Sequence, residues 1–138
     1  MQTQTSPLKE KTLLFAIRMV NLYRFLTNSK KEFVVSKQVL RSGTNPGAMV
    51  REALNAESGL DFIHKLSIAQ KEIGETQYWL ELLWKSNYLT SDEYNSLHRD
   101  SEEIMKLIRS SILTRKKNLA AKRASIFLIV LAIICLLF

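Results

Sequence analysis

The sequence feature that most constrains the fold is a heptad repeat between residues 59 and 86. One face of this segment carries apolar or small residues at alternating spacings of four and three, namely Phe62, Leu66, Ala69, Ile73, Thr76, Leu80 and Leu83. A repeat sustained for about three heptads is typical of a helix that packs lengthwise against other helices. We therefore expect the rest of the chain to supply helices that cover this face.

Three further segments show helical periodicity and are separated by short polar turns. Ser6 suits the N-cap of a helix and Pro7 its first turn. Two further helix starts are marked by capping-box sequences, in which a serine or threonine is followed three residues later by an acid: Ser58 with Asp61, and Thr90 with Glu93. The predicted helices span residues 7–28, 34–57, 59–86 and 91–119. Besides the heptad face, the expected core comprises Phe15, Met19, Leu22, Leu26, Leu97, Ile104, Ile108 and Ile112.

Long helices joined by short turns predict an all-α fold, an antiparallel up-down-up-down four-helix bundle with an apolar C-terminal helical tail. With four glycines and two prolines in 138 residues, the chain has few helix breakers. We expect a disordered N-terminus over residues 1–7, the bundle over residues 8–119, and a basic junction with the tail over residues 120–138.

The second predicted helix contains an unusual segment, SGTNPG at residues 42–47. Pro46 removes a backbone donor and clashes with the preceding turn, so a kink or an interruption is expected there. Close helix approach at Gly43, Gly47 and Ala48 is the other structural interpretation. A phosphate-binding loop is disfavoured, because no strand precedes the segment and the lysine of such loops is missing.

The formal charge of +7 is concentrated at the C-terminal end of the chain. All thirteen acidic residues and thirteen of the twenty basic residues lie within residues 1–103, which leaves seven basic and no acidic residues after Glu103. These seven are Lys106, Arg109, Arg115, Lys116, Lys117, Lys122 and Arg123. Attraction to phosphate groups, on nucleic acid or lipid, is therefore expected in this region.

The final segment, Ile126–Phe138, contains no polar side chain. A helix that is apolar on all sides needs apolar surroundings, which leaves a membrane, another subunit or a disordered, adhesive end. Its thirteen residues span roughly 20 Å as a helix, less than the ~30 Å of a hydrocarbon core. Snorkelling by Lys122 and Arg123 would permit a short crossing, with the basic residues on the cytoplasmic side.

The sequence offers no arrangement of residues that suits catalysis or metal binding. Asp61-x-x-His64 is the nearest approach to a helical metal-binding pair, and the other histidine, His98, has Asn95 three positions before it. The single cysteine, Cys135, lies within the apolar segment, where a thiol behaves as a small apolar group. We predict a non-enzymatic protein without a cofactor, and we interpret Lys71 with Glu75, like Glu81 with Lys85, as surface pairs on one helix.

The central part of the chain resembles the bacterial 23S rRNA-intervening-sequence (S23) proteins, which are related to the accessory variability determinant of diversity-generating retroelements. The resemblance covers about residues 8–119. It rests on Ser36-Lys37-Gln38, Arg41-Ser42-Gly43-Thr44, Gly47-Ala48, Glu52-Ala53, Asp61-Phe62-Ile63, Lys65-Leu66, Lys71-Glu72, Glu75-Thr76 and Tyr78-Trp79-Leu80, and on Phe15-Ala16, Arg18 and Leu22-Tyr23 in the first helix.

This resemblance implies a homopentamer of four-helix subunits around a central channel, without a known catalytic role. For the retroelement relatives it also implies a basic surface that binds nucleic acid and partners a reverse transcriptase. Pro46, Met49 and the apolar tail depart from the family pattern, so the geometry of the second helix and the role of the C-terminus do not follow from the family.

Two hypotheses of function result from the sequence. In the first, an oligomeric bundle in the bacterial cytoplasm binds RNA or DNA, or a nucleic-acid enzyme, through the seven basic residues. In the second, the same residues meet lipid head groups, and the tail attaches the bundle to the inner membrane as an assembly or pore-forming module. Tyr78, Trp79 and Trp84 are predicted to lie in the core or at a subunit contact.

Overall fold

The computed structural model describes residues 6–137, which form four α-helices. The helices are α1, Pro7–Asn28; α2, Val35–Leu54; α3, Gly59–Lys85; and α4, Ser91–Leu137. Both α1 and α3 pack against α2 and α4, so the helices follow one another around the bundle in chain order. The predicted all-α, antiparallel four-helix bundle is confirmed.

The predicted core positions meet along the centre of the bundle. From the heptad face, Leu66, Ala69, Ile73, Thr76, Leu80 and Leu83 are buried, and Phe62 packs half-buried at the end. The predicted stripes on α1 and α4 are buried in the same cluster. The spacing of the apolar residues along each helix therefore determines which side of the helix faces the core.

The start of α4 shows the complete predicted capping box, and the start of α3 shows its serine half, since the Asp61 carboxylate accepts the N–H of Glu57 rather than that of Ser58. The Ser58 hydroxyl accepts the Asp61 backbone N–H at 3.1 Å. At the start of α4, Thr90 Oγ1 accepts the Glu93 N–H at 3.2 Å, and the Glu93 carboxylate accepts the Thr90 N–H at 2.8 Å. Each of these caps satisfies backbone donors that a helix leaves unpaired in its first turn.

The start of α2 uses a cap that the sequence analysis did not identify. The buried Glu32 carboxylate accepts backbone N–H groups from Val34, Val35 and Ser36 at 2.6–2.9 Å. Burial alone would raise the pKa of Glu32, but these hydrogen bonds outweigh it, and the pKa lies below its ordinary value. A negative charge is therefore held at the positive end of α2.

The expected interruption of α2 at residues 42–47 is wrong. The helix runs continuously through Pro46, which is buried, and ends at Leu54, three residues before the predicted end. Close helix approach accounts for one of the glycines, because a Cβ on Gly43 would lie 2.4 Å from Met19 Cγ on α1. The glycine thus lets α1 and α2 come together where the chain places a large methionine.

The fourth helix is longer than predicted, because the bundle helix and the tail form one helix of 47 residues, about 70 Å long. The bundle ends at Leu119, whose side chain lies on Gly59 at the start of α3. From Ala120 to Leu136 every residue of α4 is exposed. The prediction that the tail projects beyond the bundle is confirmed. Residues 1–5 of the predicted disordered N-terminus, and Phe138 of the tail, lie outside the described residues.

Candidate functional site

The seven predicted phosphate-contacting residues are all exposed on α4. Within the described part of the chain, none of them forms an ion pair; the ion pairs there involve Lys11, Arg18, Arg41 and Lys65. Their positive charges are therefore available to an external anion. Several carboxylates of the bundle are engaged elsewhere, for example Asp100 with Arg18 and Glu103 with Lys11.

The five basic residues closest to the tail surround the helix. We call this set the basic ring: Arg115, Lys116, Lys117, Lys122 and Arg123. With about 100° per residue, Arg115 and Lys122 share one side of α4, Lys116 and Arg123 the next, and Lys117 a third. A planar partner on one side of the helix would reach only part of this ring, whereas a layer that encloses the helix would reach all of it.

One member of the basic ring is positioned by the bundle. The Arg115 guanidinium lies 4.6 Å from the centroid of the Phe62 ring on α3, a cation–π distance. This contact joins the ring to the end of the bundle at the level of the first turns of α3. The other four members form no side-chain hydrogen bond or ion pair with residues 6–137.

The segment after the basic ring is apolar around its whole circumference. We call residues 126–137 the apolar segment; its described side chains, including Cys135, are all exposed. Among the described helices, α4 is the one long and apolar enough to cross a membrane by length and composition, and none of the qualifying stretch is buried. The structure therefore places an uncovered apolar rod directly after a ring of positive charge.

The three aromatic residues in the C-terminal half of α3, Tyr78, Trp79 and Trp84, lie away from this region. Tyr78 is exposed, whereas Trp79 is half-buried and donates its indole N–H to Glu75 at 3.1 Å. Trp84 stacks on Tyr94, with ring centroids 4.5 Å apart, near the first turn of α4. All three therefore have partners within the chain, since Tyr78 packs edge-on against Trp79 with ring centroids 4.8 Å apart, and Tyr78 is the most exposed of the three.

The surface pairs predicted along α3 are not formed as expected. Glu75 pairs with Arg41 of α2 at 2.5 Å instead of with Lys71. The hydrogen bonds from Trp79 and Arg41 lower the pKa of the Glu75 carboxyl. Lys85 lies over the Trp84 ring at 3.9 Å rather than beside Glu81. An ion pair between α2 and α3 and a cation–π contact within α3 thus take the place of the two pairs predicted from the four-residue spacing.

A groove of about 480 Å³ runs between α1 and α4, and two of its three charged residues, Arg18 and Glu93, are already engaged. Arg18 binds Asp100 and Ser96, and Glu93 caps α4. Among residues 6–137 no three His, Cys, Asp or Glu side chains converge as a metal site. The groove thus offers apolar contact rather than a reactive group.

The sequence analysis missed the apolar surface at the turn between α2 and α3. Leu54 is the last residue of α2, Leu60 is the second residue of α3, and both side chains are largely exposed. Each leucine looked like an ordinary helix residue in the sequence. The signal that could have identified them is their position outside the apolar stripes of their helices.

Comparison with known proteins places the bundle in a family. The sequence model of the 23S rRNA-intervening sequence protein family matches residues 6–110. The chain belongs to this family. A comparison with curated proteins found no match. The basic ring and the apolar segment lie beyond the part of the chain that the family's sequence model matches.

A solved relative supports the same assignment. It is the crystal structure of a protein with unknown function from the S23 ribosomal protein family of Bacteroides thetaiotaomicron VPI-5482. The two chains are 58% identical with a TM-score of 0.76, and the comparison covers 76% of this chain and 97% of the relative. Neither description names a catalytic activity. About a quarter of this chain has no counterpart in the comparison.

Proposed function

We propose that this protein is a non-catalytic four-helix module that attaches to a membrane through the outer part of α4. The observation that carries the proposal is the exposed apolar segment directly after the basic ring, which forms no ion pair among residues 6–137. Lipid acyl chains supply the surroundings that a helix apolar on every side requires. Anionic head groups supply counter-charges for the ring.

The arrangement of the basic ring favours a lipid surface. A head-group layer encloses a helix that enters it, so charges on several sides of α4 are contacted together. Each lysine or arginine near an anionic surface contributes about 1 kcal/mol, so five contribute on the order of 5 kcal/mol. Basic residues remain on the cytoplasmic side, which would put the bundle in the bacterial cytoplasm at the inner membrane.

Vesicle flotation tests this proposal. The intact protein should float with vesicles that contain anionic lipid, and a variant without residues 126–138 should remain at the bottom of the gradient. The matched pair Ile129→Lys and Leu113→Lys changes an exposed apolar residue of α4 within and before the apolar segment. Only Ile129→Lys should reduce flotation. An intact protein that stays soluble without detergent and does not float would overturn the proposal.

A second candidate function is nucleic-acid binding, supported by a row of basic residues that form no ion pair with the described part of the chain. Arg109, Lys116 and Arg123 follow one another at spacings of seven residues, which places them along one side of α4 about 10 Å apart. Such a row suits the phosphate backbone of RNA or DNA, or of a complex with a nucleic-acid enzyme such as a reverse transcriptase.

The salt dependence of binding to RNA and DNA oligonucleotides tests the second candidate. If the row contacts phosphates, replacing its three residues with glutamine should lower the slope of log affinity against log salt by about 2–3. The control replaces Lys37, Lys71 and Arg99, which are exposed elsewhere. Equal slopes for both variants would remove this row as a phosphate-binding surface.

We also propose homo-oligomer formation, which the family resemblance implies as a pentamer. The exposed Leu13, Leu14 and Ile17 on α1, together with Tyr78, support it because they are apolar or aromatic side chains left uncovered in one subunit. Light scattering on the variant without residues 126–138 would give the subunit number. A monomer at micromolar concentration would contradict the proposal.

A further inference from the structure

The turn between α2 and α3 is the part of the bundle closest to the apolar segment. We call residues 54–60 the α2–α3 tip. Gly59 in this tip lies against Leu119, and the apolar segment begins seven residues later, about 10 Å along α4. By contrast, the start of α1 lies short of this level, since Lys11 in its second turn pairs with Glu103, sixteen residues before Leu119.

This distance brings the tip to the surface of a membrane that holds the apolar segment. The head-group zone on each side of a bilayer is about 5–8 Å thick, the difference between its total and hydrocarbon thickness. Transmembrane helices tilt by about 20° on average, and a tilt of α4 toward α3 would lower the tip further. With α4 upright the tip therefore lies just outside the head-group zone, and such a tilt brings it to head-group height.

The tip presents two leucines toward that surface. Leu60 is 61% exposed and lies in the first turn of α3, where side chains lean toward the helix N-terminus and hence toward the apolar segment. Leu54 is exposed at the end of α2. Neither leucine belongs to the buried core, so both are free to contact lipid.

The charges around the tip favour a shallow contact. Glu52 is paired with Lys65 at 2.7 Å, and Asp61 accepts the Glu57 backbone N–H at 3.3 Å. The Glu57 carboxylate has no ion pair among the described residues, so it favours a position in the aqueous head-group layer. The leucines would therefore reach the interface while the turn between them stays hydrated.

We infer that the α2–α3 tip is a second membrane contact, in which Leu54 and Leu60 insert at head-group level beside the basic ring. This inference rests on the proposed membrane attachment of α4. Two points of contact would fix the orientation of the bundle relative to the membrane, whereas contact through α4 alone would leave the bundle free to rotate about the α4 axis. The opposite end of the bundle, where Val34 is 72% exposed, would then face the cytoplasm.

Fluorophores on single cysteines test the inference in the full-length protein. One protein carries the label on Cys135, a second on Leu60→Cys and a third on Val34→Cys, the last two with Cys135→Ser. Each is bound to anionic vesicles that carry a nitroxide quencher either on the head group or within the acyl chains. We expect acyl-chain quenching at residue 135, head-group quenching at residue 60 and no quenching at residue 34.

The three labels separate the two proposals. Quenching at residue 135 with none at residue 60 would overturn the tip contact and leave membrane attachment intact. Absence of quenching at residue 135 would overturn the attachment itself, and the tip contact with it. Because all three positions are exposed, the substitutions leave the core unchanged.

Vesicle affinity provides an independent measurement. Leu54→Gln with Leu60→Gln should weaken binding roughly fivefold, since two partly inserted leucines lose their apolar contact. The matched control, Phe33→Gln with Val34→Gln, changes two exposed apolar residues at the opposite end and should leave affinity unchanged. Equal affinities for both double variants would contradict the inference.

Discussion

The inner and outer parts of α4 share one continuous helix but have different partners. Up to Leu119 the helix buries one side, with Ile104, Ile108 and Ile112 in the core, and exposes polar residues on the others. Beyond Leu119 it carries the last two members of the basic ring, Lys122 and Arg123, and is then apolar on every side; the bundle covers none of residues 120–136. The inner part therefore stabilises the fold, whereas the outer part must obtain its stabilising contacts from outside the subunit.

A matched pair of isoleucines gives the largest expected difference between the two parts. Ile108 is 0% exposed and Ile129 is 59% exposed. Ile108→Ala should lower the free energy of unfolding by about 2–5 kcal/mol, because it removes buried contacts and leaves a cavity. Ile129→Ala should change it by less than about 0.5 kcal/mol in the absence of lipid. Denaturant unfolding of both variants measures the contrast.

A large loss of stability in Ile129→Ala would break this contrast. It would mean that another subunit already covers the apolar segment in solution. The variant without residues 126–138 serves as the control, since its bundle should unfold like that of the intact protein.

Charge removal in the basic ring should act on attachment alone. Lys116→Gln with Lys117→Gln removes about 2 kcal/mol of attraction to anionic vesicles, a decrease in affinity of roughly 30-fold. Binding to neutral vesicles and the free energy of unfolding should stay unchanged. Lys37→Gln with Lys71→Gln is the control, because it removes the same charge from α2 and α3. Equal losses in the two double variants would indicate that net charge, rather than the ring, determines binding.

Acid should weaken the bundle through Glu32 and leave the outer part of α4 unaffected, because that part contains no acidic group. The pKa of Glu32 is lowered in the folded state from an ordinary value of 4.5. Its stabilising contribution is therefore present above about pH 4.5 and is lost as the pH falls through the lowered pKa.

Glu32→Gln should cost about 1–3 kcal/mol near pH 7, because a charged acceptor of three backbone N–H groups becomes neutral. The difference from the unsubstituted protein should shrink as the pH falls below the lowered pKa. Thermal or urea unfolding at several pH values measures it. A difference that is constant with pH would show that the carboxylate charge of Glu32 does not contribute.

The sequence predicted what helical periodicity determines. The heptad face of α3, the stripes on α1 and α4 and the caps of α3 and α4 were all identified, because each is a pattern of residue types at short, fixed spacings. The family resemblance came from the same central region. The uncovered apolar end was also predictable, since thirteen apolar residues exceed what a completed bundle could bury.

The features that were missed depend on contacts between distant residues. The continuity of α2 through Pro46 reflects burial of that segment against its neighbours, which outweighs the local cost of proline. Glu32 became a cap because the chain between α1 and α2 turns its carboxylate onto three backbone donors. The α2–α3 tip emerged only once Gly59 was found beside Leu119, which fixes the height of two leucines relative to the apolar segment.

Hydrogen–deuterium exchange along α4, with and without anionic vesicles, tests the central claim most directly. Amides of the inner part, around Ile104–Ile112, should be protected equally in both conditions. Amides of residues 126–137 should exchange rapidly in solution and become protected only when vesicles are added. Strong protection of residues 126–137 in solution, or none with vesicles, would contradict the claim that lipid is the partner of the outer part of α4.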